Sequence, residues 1–257
     1  MEINPNLLWS KDNVTYAVAY PKRVFDIDNL GENNATQLAV QAARLFDYHK
    51  GLRITGALGI YSQISGAGRR LSDIDVLVDE SSFREVISLA QNKGYAFCRL
   101  SQRELKDGTR KCIFEEVSTD DFLVRKPSVR AVLLRKDRAQ SHEQLCAKDL
   151  IDIFVGYVDK EGWERTYDHR LSQIIPRDAT KDAIIQVDVE TIRSVPLEYM
   201  AMVKQILLSF EESFGQGNKL DRDKNSFDLE NILKSIPYFR EIIPVLMKQR
   251  KKLGGYL

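Results

Sequence analysis

The chain lacks any cysteine framework. Its three cysteines, Cys98, Cys112 and Cys146, show no C-x-x-C spacing and no neighbouring histidine pair, which argues against a zinc site or a disulfide-stapled fold. Histidine is equally sparse, and His49, His142 and His169 have no spacing that suggests catalysis. Net charge is also missing: 38 Lys and Arg stand against 37 Asp and Glu, so attraction to nucleic acid or membrane must come from a local patch, not the whole molecule. No window approaches the roughly 18 consecutive apolar residues of a membrane span. The opening "MEINPNLLWSKDN" has no basic stretch followed by an apolar core. Repeats and low-complexity tracts are absent too. A soluble cytoplasmic protein, without membrane contact and in a reducing compartment, is the expectation.

With 257 residues, the chain can bury a substantial core without staples. "TYAVAY" and "RVFDI" read as strands around Pro21, and "NATQLAVQAARLFDYHKG" as a helix stopped by Gly51. "LRIT" reads as a strand, "GALGIYSQIS" as a turn and helix, and "SDIDVLVD" as a further strand. "SSFREVISLAQNKG" reads as a helix capped by Ser81 or Ser82, with Gly94 just past its end. "YAFCRL", "RKCIFEEV", "VRAVLLRK" and "LIDIFVGYV" complete a mixed α/β block. From Pro196 the pattern turns helical: "LEYMAMVKQILLSF", a polar break "GQGNKLDRDKN", then "SFDLENILKSI". The expected division is an N-terminal extension over 1–33, an α/β (α+β) catalytic domain over 34–192 and a helical domain over 193–257.

The informative stretch is "RRLSDIDVLVDE", Arg69 to Glu80. Aspartate is depleted in strands, yet Asp73 and Asp75 sit in a β-branched run. Residues two apart in a strand share a face about 6.6 Å apart, so both acids point one way while Ile74, Val76 and Val78 point into a core. Two close carboxylates repel unless a cation lies between them. All-oxygen ligation selects Mg²⁺ or Mn²⁺, and Mg²⁺ adds only one or two carboxylates to waters and substrate phosphates. The alternative is structural: Asp73 caps a turn while Asp75 pairs with Arg69 or Arg70. "LIDIFVG" places Asp152 alone opposite Ile151, Ile153 and Val155. A third acid there would suit a two-metal site with ions roughly 3.5 to 4 Å apart, and Asp188 in "IIQVDVE" competes for that role. Gly56-Ala57, at the end of a strand, allows close backbone approach to a phosphate. The arginines offer a planar fork that suits phosphate oxygens.

These residues resemble the nucleotidyltransferase superfamily, the polymerase-β-like fold: a glycine turn after a strand, a short helix, S/T-D-h-D-h-h-h on the next strand, and a third acid on a later one. Here that order reads "TGALGIYSQISGAGRRLSDIDVLV" and then "LIDIFVG". The Arg-Leu-Ser before Asp73, and the helical pair "VPLEYMAMVKQILL" and "RDKNSFDLENIL", are similar to abortive-infection-type nucleotidyltransferase toxins. The ordered motifs cover roughly residues 50 to 235. The resemblance implies a mixed sheet with flanking helices and transfer of a nucleotide from an NTP to an acceptor hydroxyl. It implies Asp73, Asp75 and Asp152 as catalytic ligands of two Mg²⁺ or Mn²⁺ ions, with Asp152 also the base. Nucleotide contacts would come from Gly56, Ala57, Arg70, Ser72 and Lys204. The acceptor is an RNA, a protein or a small molecule, and an antitoxin-like protein is a possible partner.

Lys204 lies on one helix face with Leu197, Met200, Leu207 and Leu208. An ammonium there needs an anion: a phosphate, or an internal Asp223 or Asp228. The family has Gly-Gly or Gly-Ser where this chain has Gly56-Ala57, which motivates the rival reading of an inactive nucleotide- or partner-binding module. The cations of "VRKPSVRAVLLRKDR" form either an RNA grip or a solvated surface.

Overall fold

The computed structural model describes residues 15–20, 35–64, 68–69, 71, 73–104, 110–125, 130–137, 147–158, 163–166, 174–176, 183–214 and 219–252. Among the described residues, eleven strands form one mixed sheet: β1 (Thr15–Tyr20), β2 (Leu52–Thr55), β3 (Ile74–Asp79), β4 (Tyr95–Glu104), β5 (Arg110–Glu116), β6 (Arg130–Arg135), β7 (Leu150–Val158), β8 (Trp163–Thr166), β9 (Ile174–Pro176), β10 (Ala183–Val187) and β11 (Glu190–Ser194). Their spatial order is β1-β5-β4-β6-β7-β3-β2-β11-β10, with β8 added to β7 and β9 to β8. β3 runs parallel to β7 and antiparallel to β2. Seven helices accompany the sheet among the described residues: α1 (Ala35–Leu45), α2 (Gly56–Gln63), α3 (Phe83–Asn92), α4 (Thr119–Arg125), α5 (Leu197–Phe214), α6 (Lys219–Ser235) and α7 (Phe239–Lys252). The fold class is the expected α/β one.

Period-two alternation decides which sheet face is covered. Ile74, Val76 and Val78 on β3 stand in register with Ile151, Ile153 and Val155 on β7, and all are buried in the main core. Helix α3 meets that core with Phe83, Val86, Ile87 and Ala90, the i, i+3, i+4, i+7 stripe of an amphipathic helix. Phe83, Phe97 and Phe122 pack with ring centroids 5.3 to 5.5 Å apart, an aromatic knot joining α3, β4 and α4. On the opposite face Ala96, Cys98, Leu100, Phe114, Val132, Leu134 and Leu150 form a second, smaller buried cluster.

Several local expectations are corrected. Helix α1 ends at Leu45, not at Gly51, because Asp47 and Tyr48 turn left-handed and the Tyr48 amide donates to the Ala43 carbonyl at 2.8 Å. Gly51 serves space instead: a Cβ there would lie 2.1 Å from Ser82 Oγ. Ser82 precedes α3 but makes no side-chain capping bond, since a 3-10 turn over Glu80–Ser82 leads into the helix. Of the expected polar break, 215–218 lie outside the described residues, and 219–225 is helix, since α6 spans Lys219–Ser235. Its polar residues are used inward: Asn225 and Asp228 are buried. β8, β9, β11 and α4 add elements the periodicity does not reveal. The segment "RVFDI", and the side chains of β1, lie outside the described residues.

The helical region shares the main core. Tyr199, Met200, Leu229 and Ile232 bury with Leu58 and Ile60 of α2 in one cluster. β11 bonds directly into the sheet beside β2, with Ser194 in register with Ile54. The boundary expected near residue 193 therefore marks a change of secondary structure, not of core. No described helix is long and apolar enough to cross a membrane.

Candidate active site

Strand register sets the central feature. Asp75 is the partner of Asp152 across the parallel β3–β7 pair and of Thr55 across the antiparallel β2–β3 pair. Cross-strand partners share a face, with neighbouring strands about 4.8 Å apart, so the two carboxylates stand side by side on the face opposite α3. Asp152 is the deeper, 2% exposed, while Asp75 is half-buried. Like charges directly opposite one another in a sheet are destabilising.

Gly56 opens α2 directly beneath this pair. Its φ is +60°, and a Cβ there would fall 1.9 Å from Asp75 Oδ2. Glycine is required twice over, by the left-handed backbone and by the carboxylate resting on it. Its first service is thus to seat Asp75. Gly56→Ala should lower stability by about 1–2 kcal/mol and displace the Asp75 carboxylate. Thermal melts and nucleotide titration on the same sample check both effects, and unchanged titration would show that the seat is unimportant. Ala57 is buried at the start of α2.

Asp73 occupies the bend just before β3 and is half-buried. Among the described residues no three acids, histidines or cysteines are grouped to hold a metal ion, so the side chains as placed form a carboxylate pair, not the three-acid shell the sequence suggested. A pair still fits a hard ion of the Mg²⁺ type, which draws one or two carboxylates from a protein and completes its octahedron with water and phosphate oxygens. Asp188 is elsewhere. It is exposed, at φ 51°, in the turn between β10 and β11, beyond β2 and β11 from the carboxylate pair. Asp188→Asn, which tolerates the left-handed region, should leave nucleotide transfer within about twofold of wild type and change stability, read from thermal melts, by less than the roughly 0.5 kcal/mol of an ordinary surface change. Lost transfer would implicate that hairpin.

A second cluster lies at the far end of α2. Lys204 Nζ on α5 is 2.9 Å from Asp228 Oδ2 and donates to Asn225 Oδ1 at 3.0 Å, selecting Asp228 over the exposed Asp223 as its internal anion. Arg69 grips the same carboxylate with Nε at 2.9 Å and Nη2 at 3.1 Å, not Asp75. The Tyr61 hydroxyl of α2 donates to Asp228 Oδ1 at 2.7 Å. Burial alone would raise the Asp228 carboxyl, but Lys204 and Arg69 outweigh it and hold it at about 2. Burial, and then the Asp228 charge, push the Tyr61 phenol far above its ordinary range. Burial opposes the Arg69 charge, while Asp228, with Tyr61 and Asp73 adding, more than offsets it. That last contribution puts Arg69 within electrostatic reach of Asp73. Arg69, Tyr61, Asn225 and Asp228 were not among the expected nucleotide-site residues. The i, i+3 spacing of Asn225 and Asp228 on one helix face was the available signal.

Arg70 and Ser72 lie outside the described residues. The described cations of the basic run are engaged by acids: Arg135 Nε lies 2.9 Å from Asp137 Oδ1 and Lys136 Nζ 3.4 Å from Glu116 Oε1. This favours the solvated-surface reading for that stretch. His49 Nε2 faces Glu85 at 3.1 Å, away from both clusters.

A glycine turn after β2, a short helix, Asp-x-Asp at the start of β3 and an acid in register on β7 reproduce in space the order of motifs found in the sequence. No protein-family model matches the chain, and no curated protein does. Solved structures similar to it include ANT(2")-Ia in complex with adenylyl-2"-tobramycin, at 12% identity and TM-score 0.45, covering 84% of this chain and 98% of that one. A solution structure of the antibiotic-resistance factor ANT(2'')-Ia has 12% identity and TM-score 0.44, covering 86% and 94%. An antigenic nucleotidyltransferase-like protein from Paracoccidioides brasiliensis has 10% identity and TM-score 0.40, covering 88% and 92%.

Proposed function

We propose that the protein is a divalent-metal-dependent nucleotidyltransferase that moves NMP from an NTP to an acceptor hydroxyl and releases pyrophosphate. The observation that carries this reading is the register of Asp75 with Asp152, two carboxylates side by side on one sheet face with Gly56 seating the first. A fold that needed only a scaffold would gain nothing from opposing like charges on adjacent central strands.

Asp75 and Asp152 would hold Mg²⁺ or Mn²⁺, with Asp73, in the bend just before β3, supplying further negative charge. When bound, such an ion neutralises phosphate charge and polarises the phosphoryl centre. Asp152, deepest of the three, accepts the proton of the acceptor hydroxyl as its oxygen attacks the α-phosphorus. The bond to the α–β bridging oxygen breaks, and pyrophosphate leaves with that electron pair. The Gly56-Ala57 backbone and Lys204 contact the phosphates. RNA, a protein hydroxyl and a small molecule are the acceptor classes.

The test is release of labelled pyrophosphate from each NTP with Mg²⁺, in a total-RNA extract and in the same extract after ribonuclease. Release in neither, and none with protein or small-molecule fractions, would overturn the reading. A nucleotide-binding module without transfer is the second reading, favoured by Ala57, whose buried methyl offers no hydroxyl to a terminal phosphate. It predicts binding with no pyrophosphate. The abortive-infection resemblance also implies an antitoxin-like partner, which would silence pyrophosphate release when the two are co-expressed.

A further inference from the structure

The β10–β11 hairpin ends the sheet on one side. Among the described residues β10 pairs with β11 alone, so its other edge carries no strand. That edge is AIIQV, Ala183–Val187, with neither a charge nor a proline. Its register with β11 runs unbroken from Ala183↔Ser194 to Val187↔Glu190, so no bulge bends it. Charges, proline and bulges are the devices that keep sheet edges from pairing with other chains, and β10 has none of them. Apolar exposure gathers at the same place. Of the five large apolar residues exposed among those described, Ile184 and Val189 belong to this hairpin, at 56% and 94%. A third, Tyr48, adjoins it through Arg44, whose Nε donates both to the Tyr48 hydroxyl and to Glu190 at the start of β11. Clustered exposed apolar surface marks a place of contact with another molecule.

The register also fixes which backbone groups face outward. Antiparallel partners alternate between hydrogen-bonded and non-hydrogen-bonded pairs, and the two-residue turn Asp188-Val189 is closed by a bonded pair, Val187 with Glu190. Ile185 with Ile192 and Ala183 with Ser194 are then the other bonded pairs. The far side of β11 agrees: the Val195 amide donates to the Ile54 carbonyl of β2 at 2.8 Å, so Val195 faces β2 and Ser194 faces β10. Within β10, Ile184 and Gln186 therefore turn their N–H and C=O groups to the open edge. The Gln186 side chain does not block them, because it is held inside the hairpin, donating to the Asp188 carbonyl and accepting from the Thr191 hydroxyl, each at 3.1 Å.

We infer that a second copy of this chain pairs with β10 edge to edge, antiparallel about a two-fold axis at Ile185. A two-fold axis must carry bonded pairs onto bonded pairs, so it passes between two copies of the same residue. With the axis at Ile185, Ile184 stands opposite Gln186 of the second copy and Gln186 opposite its Ile184, and every outward group on both strands is used. An axis at Gln186 would set Ile184 against Asp188, whose left-handed backbone has already left the strand. An axis at Ile184 would set Gln186 against Asp182, which precedes the strand. On the other face Ile185 meets Ile185 and Ala183 meets Val187. Ile185 and Val187 already belong to the main core, so the two cores join across the axis, and no charge opposes another within the paired strands. A second copy suits this edge better than a longer foreign strand, because the edge is five residues long and complements itself in full. Five residues a side bury less than the roughly 1,200–2,000 Å² of a stable interface, so the dimer is reversible and forms as concentration rises. β11 and β2 separate β10 from β3, and this inference does not rest on nucleotidyl transfer.

The experiment is sedimentation velocity on the full chain from about 1 to 200 µM, with hydrogen exchange at the Ile184 and Gln186 amides. Wild type is compared with Ile184→Lys, Gln186→Pro and a control, Val245→Lys, which alters another exposed apolar residue on α7. Wild type should pass from monomer to dimer over this range, and both amides should exchange more slowly as the dimer forms. Ile184→Lys sets a cation on the edge, diagonal to its own copy, and should raise the dissociation constant roughly tenfold or more. Gln186→Pro removes an outward N–H and spares the bonds to β11, and it should weaken the dimer as much. Val245→Lys should dimerise as wild type does. Should Gln186→Pro fail to fold, Ile184→Lys decides, because its side chain is exposed. A wild type that stays monomeric throughout would overturn the inference, and so would a dimer that both edge variants retain. Slow exchange of the two amides at every concentration would mean that the chain covers this edge itself, which also overturns it.

Discussion

Asp75→Asn and Asp152→Asn should each lower nucleotide transfer by roughly 10²–10³-fold while the apo protein melts at or above the wild-type temperature. The two effects have one origin. The carboxylates are register partners on β3 and β7, so in the apo protein each raises the other's energy, and neutralising one relieves that repulsion. With substrate the same pair is what a divalent ion needs, and an ion's stabilisation of developing phosphate charge amounts to several kcal/mol, at about 1.4 kcal/mol per tenfold in rate. Melting curves and pyrophosphate release on matched samples give both readouts. Retained transfer with a lower melting temperature would mean that the pair is held by structural hydrogen bonds and takes no part in chemistry.

Asp228→Ala is expected to be the most destabilising single change at the site, by roughly 3–5 kcal/mol, or on the order of 10 °C in melting temperature. It removes the fully buried anion and leaves Arg69 and Lys204, both largely buried, facing one another. Lys204→Met should be milder, because Arg69 still holds Asp228 with two bonds and methionine keeps the packing. The pH dependence has a definite sign. The folded Asp228 carboxyl is depressed to about 2, below its ordinary value near 3.9, so its contribution is fully present above about pH 4 and is lost as pH falls toward 2. That contribution is about 2 kcal/mol. Melts of wild type and Asp228→Asn across pH 2 to 6 should converge at the acid end. Parallel curves would show that the carboxylate's charge does not stabilise the fold.

The two predictions divide along the line between local and non-local information. Strand alternation is local, so the sequence alone determined that Asp73 and Asp75 share a face of β3, that Ile74, Val76 and Val78 face a core, and that Asp152 projects from β7 opposite Ile151 and Ile153. Helix periodicity is local as well, and it placed Lys204 among apolar residues in need of an anion. Partner choice between distant segments is not local. Only the parallel register of β3 and β7 put Asp152 beside Asp75, and only the left-handed turn after β10 carried Asp188 away. The polar stretch before "SFDLENIL" read as a break because its residues look solvated one by one. In the fold that stretch is helix from Lys219 and Asn225 turns inward, since its partner Lys204 comes from elsewhere in the chain. The same holds for Gly56. Its flexibility was visible in the sequence, but the carboxylate resting where its Cβ would be belongs to a strand that follows a helix and a loop later, and only packing in three dimensions brings the two into contact.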